Sequence, residues 1–487
     1  HRAALHALGT VADRPMTLLG RREYHAFDAD GARYVYLVPS AGVFRLDATS
    51  VAVLDQLETE PVEAEELVSR LAHRFSEPDI RSSVEELAGI RAIGPVKRPE
   101  FTPPQPVPPK RIPLTTLVMN VTSKCNLSCT YCYEYGEDKI VAEGSKPRFM
   151  DEATARASVD FMFAESGSQP NVNLTFFGGE TLLNFKVLRS SLAYARERGA
   201  ALGKTVNPSL TTNATLLKSE IIDWIVAEGV GVTVSMDGNR EQQDKFRVFN
   251  NGQGSYDLMI PHVKELIARH TRPVGARVTL TKQNLDVLGI YRHLFEELGF
   301  YEVGFAPVTT SWQRDYAIQD DGFTHMLRQF QSLAQEFLEH TLSGKRHGFS
   351  NVRDTLEEIH KGQSKAYPCG AGFGLMGVAT DGDVGLCHRF AGSDTHKFGT
   401  VRDGIDHEMQ TDFLTRHHVD HKTDCRTCWA RPLCAGGCYH EAHTRYGSTE
   451  QPNLHYCDWI RSWTDTCLQV YGTLAERRPE YLASFRS

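Results

Sequence analysis

The sequence predicts an α/β protein in three blocks, and three observations carry that prediction. Strand and helix patterns alternate from residue 114 to about 345. A proline-rich stretch sets that run apart from a short N-terminal unit. Beyond residue 346, cysteine and glycine become frequent and helical periodicity weakens. A chain of 487 residues has room for two to four domains, and 41% hydrophobic with 23% charged residues is an ordinary globular composition. A net charge of −8 argues against nucleic acid as a general partner. No run approaches the roughly twenty apolar residues that span a bilayer, and no signal peptide is visible. A cytoplasmic protein with no membrane partner is the expectation.

Residues 1–94 read as a small α+β unit. Glu23–Phe27 and Ala32–Val38 are β-prone runs, joined by the hairpin signal Asp28-Ala-Asp-Gly31. Helical patterns follow at Ala48–Leu57, Val62–Phe75 and Ile80–Ala88, with Leu67, Leu71 and Phe75 forming a buried stripe. Residues 95–113 contain eight of the 22 prolines and make a semi-rigid linker.

Between 114 and 345, strands are expected at Leu117–Val121, Asn173–Phe177, Val206–Leu210, Val230–Met236, Ala276–Leu280 and Val303–Val308. Helices are expected at Asp151–Phe163, Phe185–Arg198, Ser219–Glu228, Tyr256–His270, Asp286–Leu298 and Phe323–Glu339. Six βα units in a row imply a parallel sheet, because parallel neighbours need crossover helices. In such folds the loops after the strands build the site.

Just after the first strand stands Cys125-Asn-Leu-Ser-Cys129-Thr-Tyr-Cys132. Three thiolates this close can hold three irons of a [4Fe–4S] cube and leave the fourth open. Structural zinc wants four ligands, and the nearest histidines are His73 and His262. Eleven cysteines in this length do not make a disulfide scaffold. The spacing, with Tyr131 before the third cysteine, resembles the radical S-adenosylmethionine (SAM) superfamily. The resemblance implies a partial (β/α)6 barrel whose open iron chelates the amino and carboxylate groups of SAM. An electron then cleaves SAM to a 5′-deoxyadenosyl radical.

Phe176-Phe177-Gly178-Gly179-Glu180 ends the second strand and matches the family's SAM-amine motif: glycines for close approach, a glutamate for an ammonium. Thr212-Asn213 and Ser235-Met-Asp-Gly238 end the third and fourth strands, and resemble contacts to the ribose and the methionyl carboxylate. Arg277 stands where family members place a carboxylate-binding arginine; an ordinary salt bridge is the other reading. Asp237 is a ligand contact or a turn former.

Cys369, Cys387, Cys425, Cys428, Cys434, Cys438 and Cys457 form a seven-cysteine series. It resembles the SPASM extension, which implies two auxiliary [4Fe–4S] clusters and three clusters in all. The resemblance assigns Cys425, Cys428, Cys434 and Cys457 to one, and Cys369, Cys387 and Cys438 to the other. The fourth ligand of that second cluster is Cys467 folding back or a substrate thiolate; an isolated cysteine on a helical pattern is also read as packing. Zinc for Cys425, Cys428, Cys434 and Cys438 is the competing reading, but it leaves three cysteines unexplained. His417, His418 and His421 read as a solvated helix face. The N-terminal unit, in turn, resembles the peptide-recognition domains of enzymes that modify ribosomal peptides, where an edge strand adds a strand of substrate; a stabilising cap is the alternative.

Where the sulfatase-maturing branch places an aspartate base after the second SPASM cysteine, this chain has His388. Cys369-Gly-Ala-Gly and Cys387-His-Arg-Phe resemble the thioether-forming maturases instead. Within those, Asp237-Gly, Lys245-Phe-Arg-Val-Phe-Asn-Asn-Gly and Ala276-Arg-Val-Thr-Leu-Thr resemble the maturases of quinohemoprotein amine dehydrogenase. That resemblance implies crosslinks from cysteine sulfur to methylene carbons of Asp or Glu in a small Cys-rich precursor, the dehydrogenase's γ subunit. Flavodoxin or ferredoxin would donate the electron. The alternatives are thioether formation in another Cys-rich ribosomal peptide, or Cys/Ser oxidation of the sulfatase-maturing type. A non-catalytic electron-transfer protein would not need Gly178-Gly179-Glu180 after a strand.

Overall fold

The hairpin signalled by Asp28-Ala-Asp-Gly31 forms, with Asp30 and Gly31 both at positive φ, as a tight two-residue turn requires. The computed structural model describes residues 18–96, 108–109, 111–134, 136–141, 144 and 146–486, so most of the proline linker and residues 1–17 lie outside it. The N-terminal unit holds two three-stranded sheets. Strands β1 (Leu18–Arg21), β5 (Val62–Glu63) and β6 (Ile93–Pro95) pair in the order β5-β1-β6. Strands β2 (Tyr24–Ala29), β3 (Ala32–Leu37) and β4 (Gly42–Leu46) pair in sequence order.

Helix α1 (Ala48–Gln56) is capped by Asp47, and α3 (Glu77–Gly89) by Ser76. Helix α2 (Ala64–Leu71) starts two residues later than its apolar pattern, because Val62 and Glu63 pair with β1 instead. Side chains alternate across β3. Val35 and Leu37 join a local core with Val53, Leu67 and Ile80, whereas Tyr34 and Tyr36 enter the core of the main body. The N-terminal unit is therefore packed into the molecule, which its proline boundary did not suggest.

The six expected βα strands are present and parallel: β7 (Thr116–Asn120), β8 (Asn171–Phe177), β9 (Thr205–Thr212), β10 (Gly231–Ser235), β11 (Val274–Leu280) and β12 (Glu302–Pro307). Between and after them run α4 (Glu152–Glu165), α5 (Phe185–Leu202), α6 (Ser219–Ala227), α8 (Tyr256–Arg269), α9 (Val287–Tyr291) and α10 (Asp320–Leu342). The α9 segment continues as a π-helix over Arg292–Glu297. A short helix outside the expectation, α7 (Arg240–Phe246), is started by a capping box of Asn239 and Gln242. Parallel strands in sequential order put all their C-terminal ends on one edge, where the loops meet.

The C-terminal block extends this sheet. After α11 (Ser350–Lys361), β13 (Leu375–Val378) pairs parallel with β7. Strands β14 (Asp383–Gly385), β15 (Lys397–Thr400) and β16 (Gly404–Ile405) follow antiparallel, completing a ten-stranded sheet. Then come α12 (His407–His417), α13 (Arg431–Cys434), α14 (Tyr439–Tyr446), α15 (Cys457–Arg477) and α16 (Pro479–Ala483). Here the expected loss of helical periodicity does not hold. Helix α15 buries Trp459, Trp463, Cys467, Val470 and Leu474, a stripe at three- and four-residue spacing, in the main core. Its other contacts bind the N-terminal sheet: His25 Nε2 lies 2.6 Å from Asp465, Tyr34 Oη donates to Glu476 at 2.7 Å, and Gly472 faces Ala29.

The histidine cluster is not a solvated face. His417 is buried, stacks on Phe413 at 3.7 Å and bonds Thr449, and burial pushes its pKa down to about 4. His418 meets the edge of Tyr367. Among the described residues no helix is long and apolar enough to cross a membrane.

Candidate active site

The loop carrying Cys125, Cys129 and Cys132 leaves β7 and is fixed before it reaches the first cysteine. Thr122 Oγ1 donates to the Arg148 carbonyl at 2.8 Å and accepts from Lys124 N at 3.0 Å. Further on, Ser128 N donates to Val248 O at 2.7 Å, and Cys132 N to Cys129 O at 3.0 Å. Burial pushes the Cys125 and Cys129 thiols up to about 12, so they stay protonated until a metal takes the proton's place.

Gly178, Gly179 and Glu180 act on this loop in a way the motif alone does not reveal. Gly178 has φ +135°, and a Cβ there would stand 2.4 Å from Thr122 O; only glycine lets the two loops touch. Gly179 N donates to Thr122 O and Glu180 N to Lys124 O. Both Glu180 carboxylate oxygens are used within the chain, accepting from Leu182 N at 3.0 Å, Thr212 Oγ1 at 2.7 Å and Asn213 N at 2.7 Å. Burial raises its pKa against these donors. The Glu180 carboxylate is thus a brace under the β9 loop. It does not line the cavity, where an ammonium would have to meet it.

Asp237 is likewise turned inward. It is fully buried, accepts from Tyr131 Oη and from Thr279 N at 3.0 Å, and pairs with Arg247 Nε at 3.0 Å. Arg247 also lies 5.6 Å from the Tyr131 ring centroid. Tyr131, between Cys129 and Cys132, is therefore anchored to β10 and to the segment after α7. Arg247 is a residue that the sequence reading missed, although Phe246-Arg247-Val248 sets a cation between two apolar neighbours.

A cavity of about 450 Å³ opens beside the three cysteines at the C-terminal edge of the sheet. Tyr131, Gly178, Gly179, Thr212, Asn213, Ser235 and Arg277 line it, from five successive strands or their loops. Asn213 Nδ2 points at Cys125 Sγ at 3.8 Å. Arg277 is the informative member. Its side chain is exposed where it opens into the cavity and has neither a hydrogen bond nor an ion pair among the described residues, while the protein around it lowers its pKa by desolvation. A guanidinium that opens into a cavity without a protein acceptor is suited to receive a carboxylate. The three thiols, the open volume and this unmet cation fit a [4Fe–4S] cluster with SAM, held by Cys125, Cys129 and Cys132 and by Arg277.

Tyr133, Glu134, His388 and Arg389 line the cavity as well. His388 packs 4.6 Å from Phe177, and burial pushes its pKa down to about 3. Arg389 donates to Thr309 Oγ1 at 2.9 Å and lies 5.0 Å from the Tyr133 ring. Glu134 is the one carboxylate among the described residues lining the cavity.

A second cavity, of about 440 Å³, is lined by Cys369, Cys425, Cys428, Cys434, Cys438 and Cys457. The sulfurs fall into two neighbourhoods. Cys425 feels the charges of Cys434, Cys428 and Cys457; Cys387 feels Cys438 and Cys369. Among the described residues no three Cys, His, Asp or Glu side chains crowd a single-ion site. Cys467 does not line this cavity. It is wholly buried in α15, which leaves it a packing residue.

Residues 119–293 match the family model for the Radical SAM superfamily. The chain is 26% identical over 372 residues to a serine-type anaerobic sulfatase-maturating enzyme of Bacteroides thetaiotaomicron, covering 71% of this chain and 86% of that protein. It is 23% identical over 390 residues to a cysteine-type anaerobic sulfatase-maturating enzyme of Clostridium novyi, covering 75% and 99%. Among solved structures, His6-tagged anSMEcpe with bound AdoMet superposes with a TM-score of 0.65 at 21% identity, over 77% of this chain and 98% of that one. A cysteine run of this spacing, at the mouth of this sheet and inside the matched segment, makes the chain a radical SAM enzyme.

Proposed function

We propose that the chain is a peptide maturase that takes a hydrogen atom from a side-chain carbon of a polypeptide substrate, in a net two-electron oxidation. One observation carries this reading. The cavity beside Cys125, Cys129 and Cys132 and the cavity of the C-terminal cysteines share Arg277, Ala306, Pro307, Thr309 and Arg389. A side chain held at that common wall lies between the SAM site and the auxiliary site.

When bound, SAM and the iron–sulfur clusters supply a carbon radical strong enough for an unactivated C–H bond and a sink for the surplus electron. The protein's residues do the holding. Arg277 grips the SAM carboxylate, Asn213 orients Cys125, and the Tyr131–Asp237–Arg247 group keeps the cysteine loop in register. His388, Tyr133 and Arg389 wall the cavity against water, so that the reacting carbon meets few competing donors.

The serine-type and cysteine-type relatives favour oxidation of a Cys or Ser side chain as the outcome. Two residue-level features favour the second reading, a thioether between Cys sulfur and an Asp or Glu methylene in a Cys-rich precursor such as a dehydrogenase γ subunit. His388 stands where the first chemistry calls for a carboxylate base. Cys369, Cys387 and Cys438 make a set of three whose neighbourhood does not include Cys467.

Mass spectrometry separates the two. The reduced, SAM-supplied enzyme is given a sulfatase-motif cysteine peptide and, separately, a Cys- and Asp/Glu-rich peptide. An aldehyde product without the sulfur supports oxidation. Loss of two hydrogens, with sulfur retained but no longer alkylatable, supports the thioether. Abundant 5′-deoxyadenosine with both peptides unchanged would count against a peptide substrate.

A further inference from the structure

Lys422 is a buried amine that nothing above accounts for, and burial lowers its pKa while the neighbouring cysteines act to raise it. It is 4% exposed, its Nζ has no hydrogen-bond partner among the described residues, and it lies 5.3 Å from the centroid of the Tyr439 ring. Its side chain lies across the turn Cys434-Ala-Gly-Gly-Cys438. At Gly436, φ +90°, a Cβ would stand 2.7 Å from Lys422 Cδ and 2.8 Å from Nζ, so a side chain there would displace the lysine. That turn joins the two cysteine sets. The charges that act on Lys422 are those of Cys425 and Cys434 from one set, and Cys369 and Cys438 from the other.

Tyr439 repeats the pattern. Its buried Oη has no partner among the described residues, and Cys369 and Cys438 are among the charges acting on it. Neither side chain lines the cysteine cavity, but both stand behind it within electrostatic reach of Cys369 and Cys438. A buried ammonium without an acceptor is costly, and a protein that keeps one has an anion for it to meet. A cluster held by thiolates carries net negative charge, and reducing it adds more. Two such groups side by side repel, and repulsion opposes reduction of both.

We infer that Lys422 is a positioning residue whose ammonium stands between the two auxiliary clusters and offsets the charge of both, with Tyr439 Oη as a second donor to the Cys369, Cys387 and Cys438 set. This rests on the reading that both sets hold clusters. Lys422 then poises the pair for electron acceptance, while touching neither SAM nor substrate.

The test is an EPR-monitored redox titration of the anaerobically loaded full chain, with iron and sulfide measured on each sample. Lys422→Met should move both auxiliary midpoint potentials to more negative values, and Lys422→Arg should restore them. Tyr439→Phe should move only the potential of the three-cysteine cluster. Should Lys422→Met instead shed auxiliary iron while Lys422→Arg retains it, the charge is still what matters. Unchanged potentials in Lys422→Met, a shift in one cluster alone, or identical behaviour of the Met and Arg variants would overturn the role. A wild-type protein with iron for one cluster only would overturn the two-cluster reading, and is told apart because no variant is needed to see it.

Discussion

Arg277 and Cys467 are two residues whose roles the sequence left divided and whose surroundings now separate them. Arg277 pairs with no carboxylate among the described residues and faces the cavity, so Arg277→Gln should weaken SAM binding by about 10- to 100-fold, the worth of charged hydrogen bonds of about 1.5–3 kcal/mol. Equilibrium dialysis on cluster-loaded protein measures this; an unchanged dissociation constant would remove Arg277 as the carboxylate receptor. Cys467 lies in the apolar seam of α15. Cys467→Ala should keep all its iron and lose about 0.5–1.5 kcal/mol of stability, comparable to deleting one buried methyl group. Iron analysis and denaturant unfolding read both, and loss of four irons would make Cys467 a ligand after all. Glu180 and Asp237 show the limit of motif reading: their carboxylates are consumed by internal donors, and only a folded chain reveals which way a side chain points.

At the scale of elements, the six βα strands were legible because each is an apolar run at the spacing of its fold, followed by a periodic helix. The cysteine loops were legible by spacing alone. Helix α15 was hidden by its setting. Its stripe begins at a cysteine and follows a stretch dense in glycine and cysteine, which masks a 21-residue helix. The docking of the N-terminal sheet was hidden for another reason: β3 is apolar on both faces, and local sequence does not say which partner covers each. Gly472 marks the contact. Alanine there would gain about 1 kcal/mol of helix propensity, but its Cβ would stand 2.7 Å from Ala29 Cβ, and overpacking costs about 1–3 kcal/mol. Gly472→Ala should therefore loosen the N-terminal sheet from α15 and speed limited proteolysis near the linker. Slower cleavage, or a stabilised protein, would show that the contact relaxes easily.

Over the whole molecule, one sheet carries the chemistry. Its parallel strands present Cys125, Cys129, Cys132, Asn213, Ser235 and Arg277 at one edge, and β13 ties the C-terminal cysteines to the same sheet through β7. The two cysteine-lined cavities consequently share a wall instead of belonging to separate domains. The most direct test gives the anaerobically reconstituted chain SAM and a strong reductant, and measures 5′-deoxyadenosine beside iron. The wild-type chain should form it, while the variant with Cys125, Cys129 and Cys132 all changed to alanine should form none and hold about four fewer irons, one cube. Continued 5′-deoxyadenosine formation by that triple variant would contradict the assignment of these three cysteines.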